Sequence, residues 1–506
     1  MTDHRASGIL LHPTSLPSSW GIGDFGPSAR NFIDFLSSCG QSVWQMLPIG
    51  PTGYGDSPYQ SLSAFAGNPM LISPDILFKE GLLSESDLEN IDFSRDSVDY
   101  ANVIHWKQKL LSKAYRNHVE APEAKLEHEY KAFAKKHASW LDDYALFAAL
   151  KEHFDLKPWT EWPEELIKRR AKALKKFSIK LKDLIDEHRF VQFLFFKQWD
   201  DLHEYARLKH ISIIGDIPIF LAHDSSDVWS HQEWFFLDED GYPTVIAGVP
   251  PDYFSATGQR WGNPIYNWNR LEKDGYSFWI ERIRLLSEIF DIIRIDHFRG
   301  FAGYWEIPAS EETAINGEWK KGPGAKLFHC INNAIDGELN IIAEDLGIIT
   351  DDVTALIDEL GYPGMAVLQF GFESMNGSDE TSFLPHNLRK NQVVYTATHD
   401  NDTTVGWWNK QSDDIQDFTR RYLSTDAMTI HRDFMRAALS SVCKLAIFPM
   451  QDLLGLGSEA CMNRPGTASG NWQWRFTEKM LTETVKEDLI EMTRLYGREP
   501  THLLKS

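Results

Sequence analysis

Eight short runs of mostly apolar, often β-branched residues recur along this chain, and most end in a polar or conformationally special residue. They are residues 8–15 (GILLHPTS), 42–48 (SVWQMLP), 211–220 (ISIIGDIPIF), 291–300 (DIIRIDHFRG), 339–347 (LNIIAEDLG), 365–372 (MAVLQFGF), 392–400 (QVVYTATHD) and 446–455 (AIFPMQDLLG). That composition is typical of strands covered on both faces, as in a parallel sheet. Between the first two runs, residues 29–39 space Phe32, Phe35 and Leu36 as an amphipathic helix does, which makes a βαβ unit. Eight strands alternating with helical segments predict a (β/α)8 TIM barrel rather than an open doubly wound sheet. Such a barrel carries its chemistry on the loops that follow the strands.

Two connections are too long for simple crossovers. Residues 75–205, after the second strand, are dense in helix-favouring charged segments and read as a mostly helical insertion. Within it the Lys/Arg-rich run 168–182 reads as a solvated helix face. Residues 221–284, after the third strand, contain AGVPPDYFSATGQRWGNPIY at 247–266. Long ordered loops of that kind on a barrel's catalytic face act as lids or substrate clamps. Residues 478–498 read as a closing helix, with no C-terminal β-sandwich.

In the fourth run, Arg294 and Asp296 share one face of the strand, because strand side chains alternate. An ion pair in a buried strand is costly without a reason. Alone it reads equally as a structural pair at a barrel rim or as a catalytic aspartate kept ionised by Arg294. Other strand ends carry acids too: Asp216 in IIGDIPIF, Glu344 and Asp345 in AEDLG, and Asp400 after His399 in YTATHDND. Acids converging on one mouth repel one another, so several such ends together favour a functional site over rim pairs or helix caps.

Composition excludes other classes. The formal charge of -22, from 73 acidic against 51 basic residues, disfavours nucleic acid and anionic membranes as partners. No run approaches a membrane span, and the N-terminus has neither signal-peptide nor transit character. Four scattered cysteines suit reduced thiols in the cytoplasm. The 18 tryptophans fit sugar stacking or a large core equally well. GLGSEA at 455–460 mimics a dinucleotide fingerprint, but Pro465 would stop the helix that should follow; no cofactor is expected. No metal-ligand spacing appears, and no metal is expected.

The ordered set Asp216, RID at 294–296, AEDLG and His399–Asp400 resembles the α-amylase clan. More closely, SGILLHPTSLPS, GDSPYQSLSAFAGNP (55–69), GVPPDYFSATGQRWGNP (248–264), RIDHFRGF, AEDLG, THDNDT and MNRPGTASGNW (462–472) resemble the 4-α-glucanotransferases (amylomaltases) over nearly the whole chain. Pro218 and Phe220 stand near where amylases carry Asn-His, which argues against an amylase-type calcium site. The resemblance implies transfer of part of a 1,4-α-glucan to an acceptor 4-hydroxyl, with malto-oligosaccharides as donor and acceptor. It implies Asp296 as nucleophile, Glu344 as acid and base, and Asp400 and His399 on the distorted sugar. Arg294 would keep Asp296 ionised, and Asp216 would join the substrate-binding set. Tyr59 would stack on the donor, with Ser57 and Asn463 as polar contacts. Phe254 and Trp261 would cover the sugar, Asp252 and Gln259 would bind the acceptor, and His297 is a weaker candidate unless the strand has ended before it. Tyr54 and Tyr100 are expected to touch a longer glucan outside the cleft. The rivals are a hydrolase using the same acids and a non-catalytic glucan-binding barrel.

Overall fold

The computed structural model describes residues 4–89, 92–251, 255–335, 337, 339–373, 382–467 and 469–500. In chain order its strands are β1 (Ala6–Leu10), β2 (Val43–Gln45), β3 (Ser212–Pro218), β4 (Val245–Val249), β5 (Gln259–Pro264), β6 (Ile292–Asp296), β7 (Gly303–Pro308), β8 (Glu318–Lys321), β9 (Ile341–Ala343), β10 (Gly364–Val367), β11 (Gln392–Tyr395) and β12 (Leu445–Pro449). Eight of them form one parallel sheet in the order β10-β11-β12-β1-β2-β3-β6-β9. The ring closes where the Ala343 N–H donates to the Pro363 carbonyl at 2.9 Å, just before β10. This is the expected (β/α)8 barrel.

Strand alternation divides the apolar residues between two cores. Ile213, Ile217, Ile293, Ile295 and Ile341 belong to the large cluster shared with the surrounding helices. Ile214, Ile292, Ile342, Met365, Val393 and Ile447 fill a second cluster, inside the barrel. Asp216 has the parity of Ile214, and Arg294 that of Ile292. The β3–β6 register sets Asp216 opposite Arg294 and Pro218 opposite Asp296. The acids therefore rise from the barrel interior toward the C-terminal mouth.

Between β2 and β3 the longer helices are Tyr100–Glu120, Ala124–Lys136, Ala138–His153 and Lys182–Leu208. The last anchors the loop beyond β2. Gln192 exchanges hydrogen bonds with the Gly67 backbone (2.7 and 2.9 Å), and Gln198 accepts the Ser73 N–H at 2.7 Å. The expected solvated run is the helix Ala171–Lys180, whose lysines point outward.

The 221–284 region holds a finding the sequence did not suggest. A four-stranded antiparallel sheet runs β5-β4-β7-β8, so strands from the 221–284 insertion are completed by strands that follow β6. The short β8, Glu-Trp-Lys-Lys, has no alternation to announce it and exists because β7 offers it a partner.

Candidate active site

Asp216, Arg294 and Asp296 are linked directly. The Arg294 Nη1 donates to Asp216 Oδ2 at 2.5 Å, and Nη2 lies 3.0 Å from Asp296 Oδ1. Arg294 is only 3% exposed, and this buried guanidinium spans the two carboxylates. The Tyr59 hydroxyl donates to the same Asp216 oxygen at 2.8 Å. That bond carries the loop after β2 over the mouth, where the Tyr59 ring stacks on His399 with centroids 5.1 Å apart.

Glu344 meets this group from β9's end through backbone donors. The N–H of His297, the residue after Asp296, donates to Glu344 Oε2 at 2.6 Å, and the Leu346 N–H donates to Oε1 at 2.7 Å. For His297 to do so the strand must stop at Asp296, and His297 adopts a left-handed conformation with φ 53°. The imidazole consequently leaves the strand face and meets the edge of Trp261, 4.7 Å between centroids. Burial lowers its pKa to about 3, so it is neutral.

On the opposite side, Asn463 Nδ2 donates to Asp400 Oδ1 at 2.7 Å, and His399 Nε2 lies 3.3 Å from the same oxygen. Burial raises the Asp400 pKa, but the His399 charge and hydrogen bond and the Asn463 amide outweigh it and hold the carboxyl near about 2. Burial raises Asp296 as well; Arg294 opposes, Asp216 and Asp400 reinforce, and the carboxyl ends raised to about 6. Glu344 is pushed up furthest, to about 8, first by burial and then by the Asp296 charge, against Arg294 and the two backbone N–H groups. The site thus places an acid that is protonated at neutral pH beside one that ionises first, the division of labour that glycoside cleavage requires.

The same shift has a consequence for stability. The unfolded chain releases the Glu344 proton near 4.5, the folded chain near about 8, so folded protein binds more protons between these values and loses stability as pH rises through them. Glu344→Gln removes the titration. Its melting temperature should exceed that of the wild type by a margin that grows between about pH 5 and pH 8, measured by thermal melts in buffers of equal ionic strength. A constant margin would show that Glu344 titrates normally.

Of the other expected residues, Gln259 and Trp261 lie on β5, with the Trp261 indole N–H 3.1 Å from Gln259 Oε1. Ser57 Oγ accepts the Tyr59 N–H at 3.3 Å, which ties it to the turn that presents Tyr59. Tyr54, 84% exposed, stands on the outer surface. Tyr100 is 7% exposed, and its hydroxyl donates to the Trp472 carbonyl at 2.9 Å, beside the segment that carries Asn463. Asp252 and Phe254 lie outside the described residues. Trp472, not singled out from the sequence, packs 6.1 Å from Tyr59 and 6.0 Å from His399. It ends the quoted MNRPGTASGNW segment, which was the available signal. Among the described residues no group of three or more His, Cys, Asp or Glu is arranged to hold a metal ion.

The glycoside hydrolase 77 family model, described as 4-alpha-glucanotransferase, matches residues 11–482. The chain belongs to the 4-alpha-glucanotransferase family. A 4-alpha-glucanotransferase of Synechocystis is 49% identical over 506 residues, covering 99% of this chain and all of that protein. Another, from Thermus thermophilus, is 50% identical over 479 residues, 93% of this chain and 94% of its own length. The amylomaltase from Streptococcus agalactiae, solved in complex with acarbose, superposes with a TM-score of 0.95 at 41% identity, over 98% of this chain and 100% of that one. The chain thus aligns with these relatives over nearly their whole length and shares the fold of the Streptococcus agalactiae amylomaltase.

Proposed function

We propose that this chain cleaves an α-1,4 bond in a malto-oligosaccharide and passes the glucanyl part to the 4-hydroxyl of a second sugar, retaining configuration at the anomeric carbon. The observation that carries this reading is the hydrogen bond from the His297 N–H to Glu344, which sets the protonated acid one residue from Asp296. In the first half-reaction the Asp296 carboxylate attacks C1 while Glu344 gives its proton to the glycosidic oxygen. The leaving chain departs with a free 4-hydroxyl. In the second, Glu344, now a carboxylate, takes the proton from the acceptor 4-hydroxyl, whose oxygen attacks C1 and frees Asp296.

The remaining residues take roles that their positions support. Arg294 keeps Asp296 ionised. Tyr59, held over the mouth by Asp216 and stacked on His399, covers the donor glucose. Asp400, kept ionised by His399 and Asn463, accepts hydroxyls of the distorted ring. Gln259 and Trp261 hold the acceptor and, with the rest of the 221–284 insertion, keep water from the intermediate, which is what separates transfer from hydrolysis. No helix among the described residues is long and apolar enough to cross a membrane. The four cysteines are all unpaired, which supports work in the cytoplasm.

Incubation with maltotriose tests the reading. Glucose with a ladder of longer maltodextrins, at constant total reducing ends, is the expected product set. Glucose and maltose with rising reducing ends would assign the same site to hydrolysis.

A further inference from the structure

The surface holds a groove of about 590 Å³ against the loops that follow β6 and β9, which adjoin in the ring, whereas Tyr59 follows β2 and His399 and Asp400 follow β11, across the ring from them. That volume is within the range of sites for small organic ligands. One wall is the four-stranded sheet at β7 and β8, and the other is the helix Asp351–Leu360. Its floor is made by the loops that carry the two catalytic carboxylates: Arg299 follows Asp296 by three residues, and Ile348 follows Glu344 by four.

Two features show what the groove can hold. Trp319 is 43% exposed although its ring is fixed: the Arg299 guanidinium lies over it, 4.0 Å from the ring, and Trp305 meets it edge-on at 5.3 Å. Arg299 is fixed in turn by donating to the Ile348 carbonyl, and its Nε has no hydrogen-bond partner. A large aromatic held rigid and left open marks a binding surface. The charges on the walls nearly cancel, with Arg299, Lys320 and Lys321 set against Asp352 and Glu359. A neutral ligand with apolar faces and many hydroxyls suits that lining better than an anion.

We infer that this groove is a remote glucan site, in which Trp319 stacks on an α-1,4-glucan several units beyond the scissile bond on the leaving-group and acceptor side. The inference rests on the glucanotransferase reading, and it follows from direction: Tyr59, His399 and Asp400 hold the donor on one side, so a chain leaving past Glu344 runs toward the groove. A long glucan would span both sites, whereas maltotriose is too short to do so.

Binding is tested in an Asp296→Asn background, which cannot turn over substrate, by affinity electrophoresis in gels containing amylose or glycogen and by calorimetry with maltotriose. Adding Trp319→Ala should weaken retention by the polymers about tenfold, the size of one buried aromatic contact, and leave maltotriose binding unchanged. Trp319→Phe should keep most of the retention. Ile348→Ala, on the floor, should lower retention in the same direction if Trp319→Ala proves unstable in a thermal melt. Equal retention with and without Trp319, or an equal loss for maltotriose, would overturn the inference. Wild-type enzyme that fails to disproportionate maltotriose would instead overturn the glucanotransferase reading, whatever the gels show.

Discussion

Asp296→Asn lowers kcat on maltotriose by about ten-thousandfold or more, the scale seen when a nucleophile is removed from a site that acts as a unit. Asparagine has the same shape, and its amide oxygen can still face Arg294, so the fold is retained. In the proposed mechanism, what is lost is the anionic carboxylate that attacks C1. Removing the charge also relieves Glu344, whose raised pKa owes its second-largest contribution to Asp296. The variant therefore separates folding from chemistry. Melting temperature and steady-state rate measured on one preparation decide the matter, and more than a few per cent residual turnover would remove Asp296 from the nucleophile's role.

Arg294→Ala has the second-largest effect, and it falls on stability as well as rate. Arg294 and Asp216 are both buried, and the guanidinium bridges Asp216 and Asp296 on the barrel interior. Truncating one member of a buried ionic group leaves its partner charged and unpaired, at a cost of about 3–5 kcal/mol. Urea or guanidinium unfolding should register that loss. Arg294→Lys keeps the charge but not the planar fork that reaches two carboxylates at once, so it falls between Ala and wild type. Combining Arg294→Ala with Asp216→Asn should recover part of the lost stability and none of the activity. Full stability in the single Arg294→Ala variant would mean that the bridge compensates nothing.

The barrel was legible because its strands advertise themselves. Runs such as Ile292–Asp296 are β-branched, buried on both faces and closed by a polar residue, and eight of them alternate with helices. Alternation alone put Arg294 and Asp296 on one face. That Asp216 sits opposite Arg294 depends on β3 and β6 being neighbours across an insertion, and that is a property of the ring. Strand β8 was invisible because a four-residue strand with three charges is defined by its partner, not by its own pattern. The donors that hold Glu344 are backbone N–H groups of His297 and Leu346, and side-chain identity carries no record of them.

The division of roles between Asp296 and Glu344 is tested most directly by trapping. Glu344→Gln enzyme given α-glucosyl fluoride, whose leaving group needs no proton, should form the sugar–enzyme bond and then stall, because no base remains to activate the acceptor. Intact-protein and peptide mass spectrometry should find one glucosyl unit on the peptide that carries Asp296. An adduct on the peptide that carries Asp400, or no adduct together with a product of inverted configuration, would contradict it.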